Sequence, residues 1–414
     1  MKKTRVVITG MGAVTPIGVD TQRTWRAARA GECGIAPITL YDVSLTKVTL
    51  AGEVKNFDPA DWMDKRESRR MDRFTQLAMA AAAQAMEQSG LDMEQVDRAR
   101  CGVLVSSGIG GIETMQNEYR KGLEKGFDRI SPFFIPMVIA NMAAGHIAIR
   151  YGLKGLCSCP VAACAGGANA VGDAFHYLRD GYADVMLCGG AEAAITPLAM
   201  GGFGSMRAMT TVTDPARASI PFDKERSGFV MGEGAGILVL ETLEHAQARG
   251  AEILGEIVGY GANCDVYHIT APAPGGEGAI ACMRLALADA GVQPEDIDYI
   301  NAHGTSTPMN DAIETQAIKA VFGERAKSLP VSATKSMMGH LLGAGGAVEA
   351  VITALALQDN FLPPTIHYQV PDEECDLDVV PNVGREAQLR YALSNSLGFG
   401  GHNCALILAR WEGA

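Results

Sequence analysis

Positive charge is in deficit in this 414-residue chain: 35 Lys and Arg face 47 Asp and Glu, a formal charge of −12. A surface of that sign repels nucleic-acid phosphates and anionic lipid, so neither is an expected partner. Long apolar runs are also missing, and no stretch approaches the ~20 apolar residues that a bilayer span needs. The basic start followed by Val6-Val7-Ile8-Thr9 superficially matches a signal peptide. It is broken by Gly10, Gly12 and Pro16 and has no small-residue cleavage site, so it reads as a first β-strand. Paired cysteine spacing is absent as well. The ten cysteines scatter along the chain, often beside apolar residues, as reduced thiols of a cytoplasmic protein do. Collagen triplets, heptads and low-complexity tails are lacking, and 48% apolar with 20% charged residues is an ordinary globular composition.

What is present is alternation. Strand-like runs at Arg5–Gly10, Cys101–Ser106, Ala183–Gly189, Ala235–Glu241, Gly255–Gly261, Tyr299–Ala302, Leu329–Ser332 and Ala405–Ala409 are separated by helical patterns. The helices are expected at Asp72–Gln88, Ala163–Asp180, Gly276–Ala290, Asp311–Phe322 and Gly343–Leu357. The pattern predicts an α/β protein whose sheets are covered on both faces. Two segments, Val6–Gly12 and Ile257–Gly261, each pair a strand with a Gly-bearing turn. This points to an internal structural duplication with its boundary near Leu254, giving halves 1–254 and 255–414, although no sequence repeat is evident.

The chemistry concentrates at Val161-Ala162-Ala163-Cys164-Ala165-Gly166-Gly167-Ala168. An apolar strand is expected to end here, a small-residue turn to follow, and a helix to begin at the cysteine. A thiol so placed has its thiolate stabilised by the helix dipole and free amides, with room for an acyl substrate. Cys33, Cys101, Cys188 and Cys282 read as buried structural cysteines. Cys157, Cys159 and Cys164 lack the spacing of zinc-ligand pairs and have no nearby His, so no metal is expected. His303 and His340 each follow a strand in a small-residue, turn-rich setting, where α/β proteins place their sites. His146, His176, His245 and His367 read as structural or solvated. One cysteine with two such histidines suits acyl transfer followed by a second, carbon-centred step.

The cysteine turn, His-Gly-Thr-Ser-Thr-Pro at 303–308, Lys-Ser-Met-Met-Gly-His at 335–340 and Asn-Ser-Leu-Gly-Phe-Gly-Gly at 395–401 together resemble the β-ketoacyl-acyl-carrier-protein synthases, most of all the type II elongating enzyme. The similarity runs over essentially the whole chain. It implies a thiolase-like fold, with two similar halves in a five-layered αβαβα arrangement, in a homodimer. It also implies that Cys164 is the acylated nucleophile, that His303 and His340 support decarboxylation of a malonyl thioester, that Lys335 organises the histidines and that Glu349 supports the site. The amides of Cys164 and Phe399 would form an oxyanion hole, and Phe399 would gate the acyl channel. Thr305 and Thr307 would hold a pantetheine arm. Thr270, Ile109 and Phe203 would contact substrate, the last two lining the acyl pocket.

No bound cofactor is implied, because substrates would arrive on the phosphopantetheine arm of an acyl carrier protein. Neutral imidazoles can supply donors to the enolate without a metal. Ala162, Leu156 and His402 depart from the family pattern, and none replaces a reacting group. A ketosynthase of a type II polyketide pathway shares every motif quoted and remains the alternative. The densest basic cluster, Lys65-Arg66-Glu67-Ser68-Arg69-Arg70-Met71-Asp72-Arg73, is the expected carrier-docking patch through Lys65, Arg66, Arg69 and Arg70. Lys125, Arg129 and Arg207 are the next candidates.

Overall fold

The computed structural model describes residues 4–413, so Met1 to Lys3 of the signal-like start lie outside the described residues. Ten strands join in one sheet. They are β1 (Val6–Val14), β2 (Cys101–Ser106), β3 (Cys157–Ser158), β4 (Val185–Glu192), β5 (Gly234–Thr242), β6 (Gly255–Cys264), β7 (Tyr299–Asn301), β8 (Val331–Ser332), β9 (Tyr391–Gly398) and β10 (His402–Ala409). Their order across the sheet is β8-β7-β9-β10-β6-β1-β5-β4-β2-β3. Read inward from either edge, each set of five has its strands in the same sequence, third, second, fourth, fifth, first. The two sets meet at an antiparallel β1–β6 pair in which Val6 faces Ile257.

Six main helices cover this sheet: α1 (Arg73–Ser89), α2 (Met142–Tyr151), α3 (Gly166–Arg179), α4 (Glu277–Ala290), α5 (Pro308–Phe322) and α6 (Gly345–Asp359). Helix α3 packs on β2, β4 and β5 of one set and also on β6 and β10 of the other, while α6 contacts α3 and strands of both. One sheet can reach the same helices from both sides only by folding back around them. α1 and α2 then cover the outer face of the first set, and α4 and α5 that of the second. This is the five-layered αβαβα arrangement of a thiolase-like fold. Gly345 to Ala354 of α6 are all buried, as befits a helix apolar all round but for Glu349 and Thr353.

Glycine has a different use from the one expected. β1 does not turn at Gly10 and Gly12 but continues to Val14, because a Cβ on Gly10 would lie 2.1 Å from the Ala85 carbonyl and one on Gly12 1.8 Å from that of Ala81. The missing side chains let α1 lie directly on the strand. Gly259 and Gly261 serve α4 in the same way. Other boundaries also move: Asn395–Gly398 of the expected turn motif is strand, β10 starts at His402 rather than Ala405, and β8 is only Val331–Ser332.

A repeat is legible after all. Cys164-Ala-Gly-Gly-Ala168 matches Gly343-Ala-Gly-Gly-Ala347, and each follows a residue in the left-handed region, Ala163 at φ 48° and Leu342 at φ 46°. Each segment makes one 3₁₀ turn and then enters a central helix, α3 or α6. Four identical residues retain the signal, the first position being Cys164 in one segment and Gly343 in the other.

Candidate active site

The nucleophile turn differs from the sequence expectation in two respects. Val161 belongs to no strand and is 59% exposed, the preceding strand, β3, ending at Ser158. Cys164 sits in the 3₁₀ turn Ala163–Ala165, two residues before α3 begins. The strained φ of Ala163, a conformation costly for a residue with a Cβ, holds the cysteine at the bend.

Cys164 is also not a resting thiolate. Burial pushes its thiol up to about 11, overriding the Lys335 charge and the amides of Phe399 and of Cys164 itself, which pull the other way. Complete desolvation, with the Glu192 charge adding to it, therefore outweighs the amides and the Lys335 charge. Those two amides are the pair expected to form the oxyanion hole. Alkylation of Cys164 by iodoacetamide is accordingly expected to rise about tenfold per pH unit between pH 7 and 10, since the rate follows the thiolate fraction. The rate of adduct formation on the Cys164 peptide measures this, and a plateau near neutral pH would contradict it.

His303 lies on the loop after β7. The Glu314 carboxylate, from the second turn of α5, accepts the His303 and Gly304 amides at 2.8 Å each, while Asp311 accepts that of Ser306. Ser306 itself stands at φ 68°. His340 follows the short helix Lys335–Met338 and the left-handed Gly339, and its amide donates to the Val230 carbonyl at 2.7 Å. The two loops bring the imidazoles together edge to face, with ring centres 5.3 Å apart. Burial first, and then the Lys335 charge, hold both well below the ordinary imidazole range, so both are neutral at pH 7. His340 Nδ1 is buried without a hydrogen-bond partner.

Lys335 Nζ lies 3.5 Å from His303 Nδ1 and pairs with Glu349 from α6, both side chains being buried. Burial pushes the Glu349 carboxyl up to about 7, with Lys335 pulling it down.

Cys164, His303, His340 and Phe399 line one cleft of about 410 Å³. Thr270, Thr305, Thr307 and Phe203 line it too, and the hydroxyls of Thr305 and Thr307 are 3.0 Å apart. Ile109 does not reach this cleft. It joins the apolar cluster behind Cys164, with Phe203, Met200 and Leu342.

The basic segment is not brought to the cleft. Lys65, Arg66, Arg69 and Arg70 are exposed around a single helical turn, Lys65–Ser68. Arg70 stacks on Phe133 at 4.6 Å, and Arg69 lines a separate cavity. Arg73, the fifth base of the cluster, is taken up by Glu233 at 2.7 Å. Of the basic candidates named from sequence, Arg207 lines the cleft.

The sequence reading missed Glu314 and Phe229. Glu314 could have been found, since Asp311 and Glu314 fall on one helix face directly after the histidine loop. Phe229 packs edge-on against both His340 and Phe203, at 5.5 and 5.6 Å, a contact made only by the fold.

Residues 3–246 match the family model of the β-ketoacyl synthase N-terminal domain, and residues 254–369 that of the C-terminal domain. The chain is 53% identical, over 99% of both lengths, to 3-oxoacyl-[acyl-carrier-protein] synthase 2 of Staphylococcus aureus strain COL. Among solved structures, the ishigamide ketosynthase/chain length factor superposes at a TM-score of 0.93 with 38% identity, covering 99% of this chain and all of that one. A type II PKS ketosynthase, bound to a hexaketide in a complex with its acyl-carrier protein, gives 0.92 and 34% over the same shares. Family models spanning both halves and majority identity end to end leave one reading: this chain belongs to the β-ketoacyl synthase family.

Proposed function

We propose that the protein is an elongating condensing enzyme of fatty acid biosynthesis, joining an acyl group held on Cys164 to malonyl-carrier protein to give 3-oxoacyl-carrier protein and CO2. The observation that carries this reading is a buried thiol sharing a cleft with two neutral imidazoles, one with an unpaired nitrogen. In the first half-reaction the Cys164 sulfur attacks the acyl thioester. The thiol proton passes through an imidazole to the departing pantetheine sulfur, and the old C–S bond breaks. In the second, the malonyl C–C bond breaks and CO2 leaves, with the electron pair forming an enolate held by His303 and His340. The enolate carbon attacks the acyl-Cys164 carbonyl, whose oxyanion meets the amides of Cys164 and Phe399 before the Cys164 thiolate leaves and takes from solvent the one proton that this half-reaction consumes.

Lys335 organises the histidines and Glu349 fixes Lys335. Thr305 and Thr307, with Thr270, hold the pantetheine arm, so no resident cofactor is required. Phe399 gates the channel, while Phe203 and Ile109 bound the acyl cavity. The polyketide alternative is weaker, because identity falls from 53% for the synthase relative to 34–38% for the ketosynthases of solved structure.

The partners are an acyl carrier protein and a second copy of this chain. A homodimer is supported by exposed Leu123, Phe127, Ile135, Ile149 and Val161 in one stretch of sequence and by the β3 edge of the sheet. Among the described residues no helix is long and apolar enough to cross a membrane. All ten cysteines are free thiols, which fits the reducing cytoplasm.

The test is condensation of malonyl-carrier with acyl carriers of graded length, with small thioesters as a second substrate class. Condensation with neither substrate class would sink the reading. Because Lys65, Arg66, Arg69 and Arg70 are proposed to dock the carrier, Arg69→Glu and Arg70→Glu are expected to raise KM for carrier substrates and spare small thioesters, more so at low salt. Equal loss on both classes would remove the patch from docking.

A further inference from the structure

Glu192, the last residue of β4, is fully buried and takes four donors: Ser107 Oγ (2.8 Å) and the Ile109 amide (3.2 Å) on Oε1, the Gly108 (2.8 Å) and Gly343 (3.1 Å) amides on Oε2. Gly343 is the repeat counterpart of Cys164. The amide that faces the reacting sulfur in one half is therefore occupied, in the other, by a carboxylate of the protein itself.

The two backbone segments that Glu192 joins carry Ile109 and Leu342, both members of the apolar cluster containing Cys164. The junction has no slack. A Cβ on Gly343 would lie 2.5 Å from the Gly108 nitrogen and 2.8 Å from Glu192 Oε2, and one on Gly190 would lie 2.3 Å from the Gly343 carbonyl. Ser107 in turn accepts the Gly110 amide at 3.0 Å, extending the clamp to the next residue of the loop.

We propose that Glu192 is a positioning residue that sets the depth of the acyl cavity, pinning the Ile109 and Leu342 walls together from behind; this rests on the condensing function proposed above. The carboxylate touches neither thiol nor imidazole through a hydrogen bond; its charge raises the Cys164 thiol, an effect common to every chain length, so the length profile reads the two loops.

Glu192→Gln gives the direction. An amide can accept on one oxygen only, so its NH2 group faces one of the two donor pairs. Donor then opposes donor in a closed space, and the 107–109 loop yields on its free side, toward the cavity. Ile109 moves inward and the longest acyl groups lose their room first.

The experiment measures kcat/KM for acyl carriers of graded length with wild type, Glu192→Gln and Ser107→Ala, with thermal melting of each as a check on folding. Glu192→Gln is expected to lower the long-to-short ratio by about tenfold, the discrimination that one methylene carries in an apolar pocket. Ser107→Ala, which removes one donor from the same carboxylate, is expected to shift the ratio the same way by less. A uniform loss at every length from a folded Glu192→Gln protein overturns the proposal. If that variant does not fold, an unchanged length profile in Ser107→Ala overturns it. Absence of condensation in the wild type would instead sink the underlying function.

Discussion

Cys164→Ala is expected to abolish condensation while leaving the fold intact. Alanine fits the small-residue turn without strain beyond what Ala163 already carries, and the neighbours Ala165, Gly166 and Gly167 need no adjustment. The loss is complete because, among the described residues, no other thiol lines the cleft: Cys157 is exposed on β3 and Cys188 is fully buried. Mass spectrometry of wild type with an acyl donor should show one acyl adduct, on the Cys164 peptide, and none on Cys157 or Cys159. Residual condensation in the alanine variant, or an adduct on another thiol, would contradict the assignment.

His303→Ala and His340→Ala should each retain some acylation of Cys164 and lose decarboxylation by ~10²–10³-fold, the usual effect of removing one preorganised donor from a developing oxyanion. The two half-reactions thereby separate, which a general folding defect would not achieve. Both imidazoles lie well below their ordinary range, so they stay neutral as pH rises from 6 to 8. Decarboxylation should then lack an inflection near the ordinary histidine value of ~6.5. Because the Glu349 carboxyl beside Lys335 is itself pushed up to about 7, CO2 release across that range is measured in wild type and in Glu349→Gln, and an inflection that survives the substitution would mean that a charged imidazole takes part.

The reacting groups were legible in the sequence because each stands in a run of small residues whose conformation is locally set. Cys164, His303 and His340 could be singled out from their neighbours alone. What was not legible depends on neighbours distant in the chain. Gly10 and Gly12 look like punctuation until α1 is seen lying on them, and β9 is hidden because its strand end doubles as the Phe399 turn. The state of the Cys164 thiol divides in the same way: the amides that favour the thiolate are local, whereas the burial that opposes them comes from the whole fold. Glu192 and Phe229 carry no motif and are found only through what they touch.

The placement of α3 and α6 has a consequence for how such a chain can fold. Each of these helices is walled by strands from both repeats, so the apolar surface that would hold one repeat together is completed by the other. A polypeptide severed between Ala248 and Gly255 would present two fragments, each with a central helix uncovered on one side. The repetition that is visible in strand order is therefore one of topology and not of autonomy, and cooperative unfolding belongs to the whole chain.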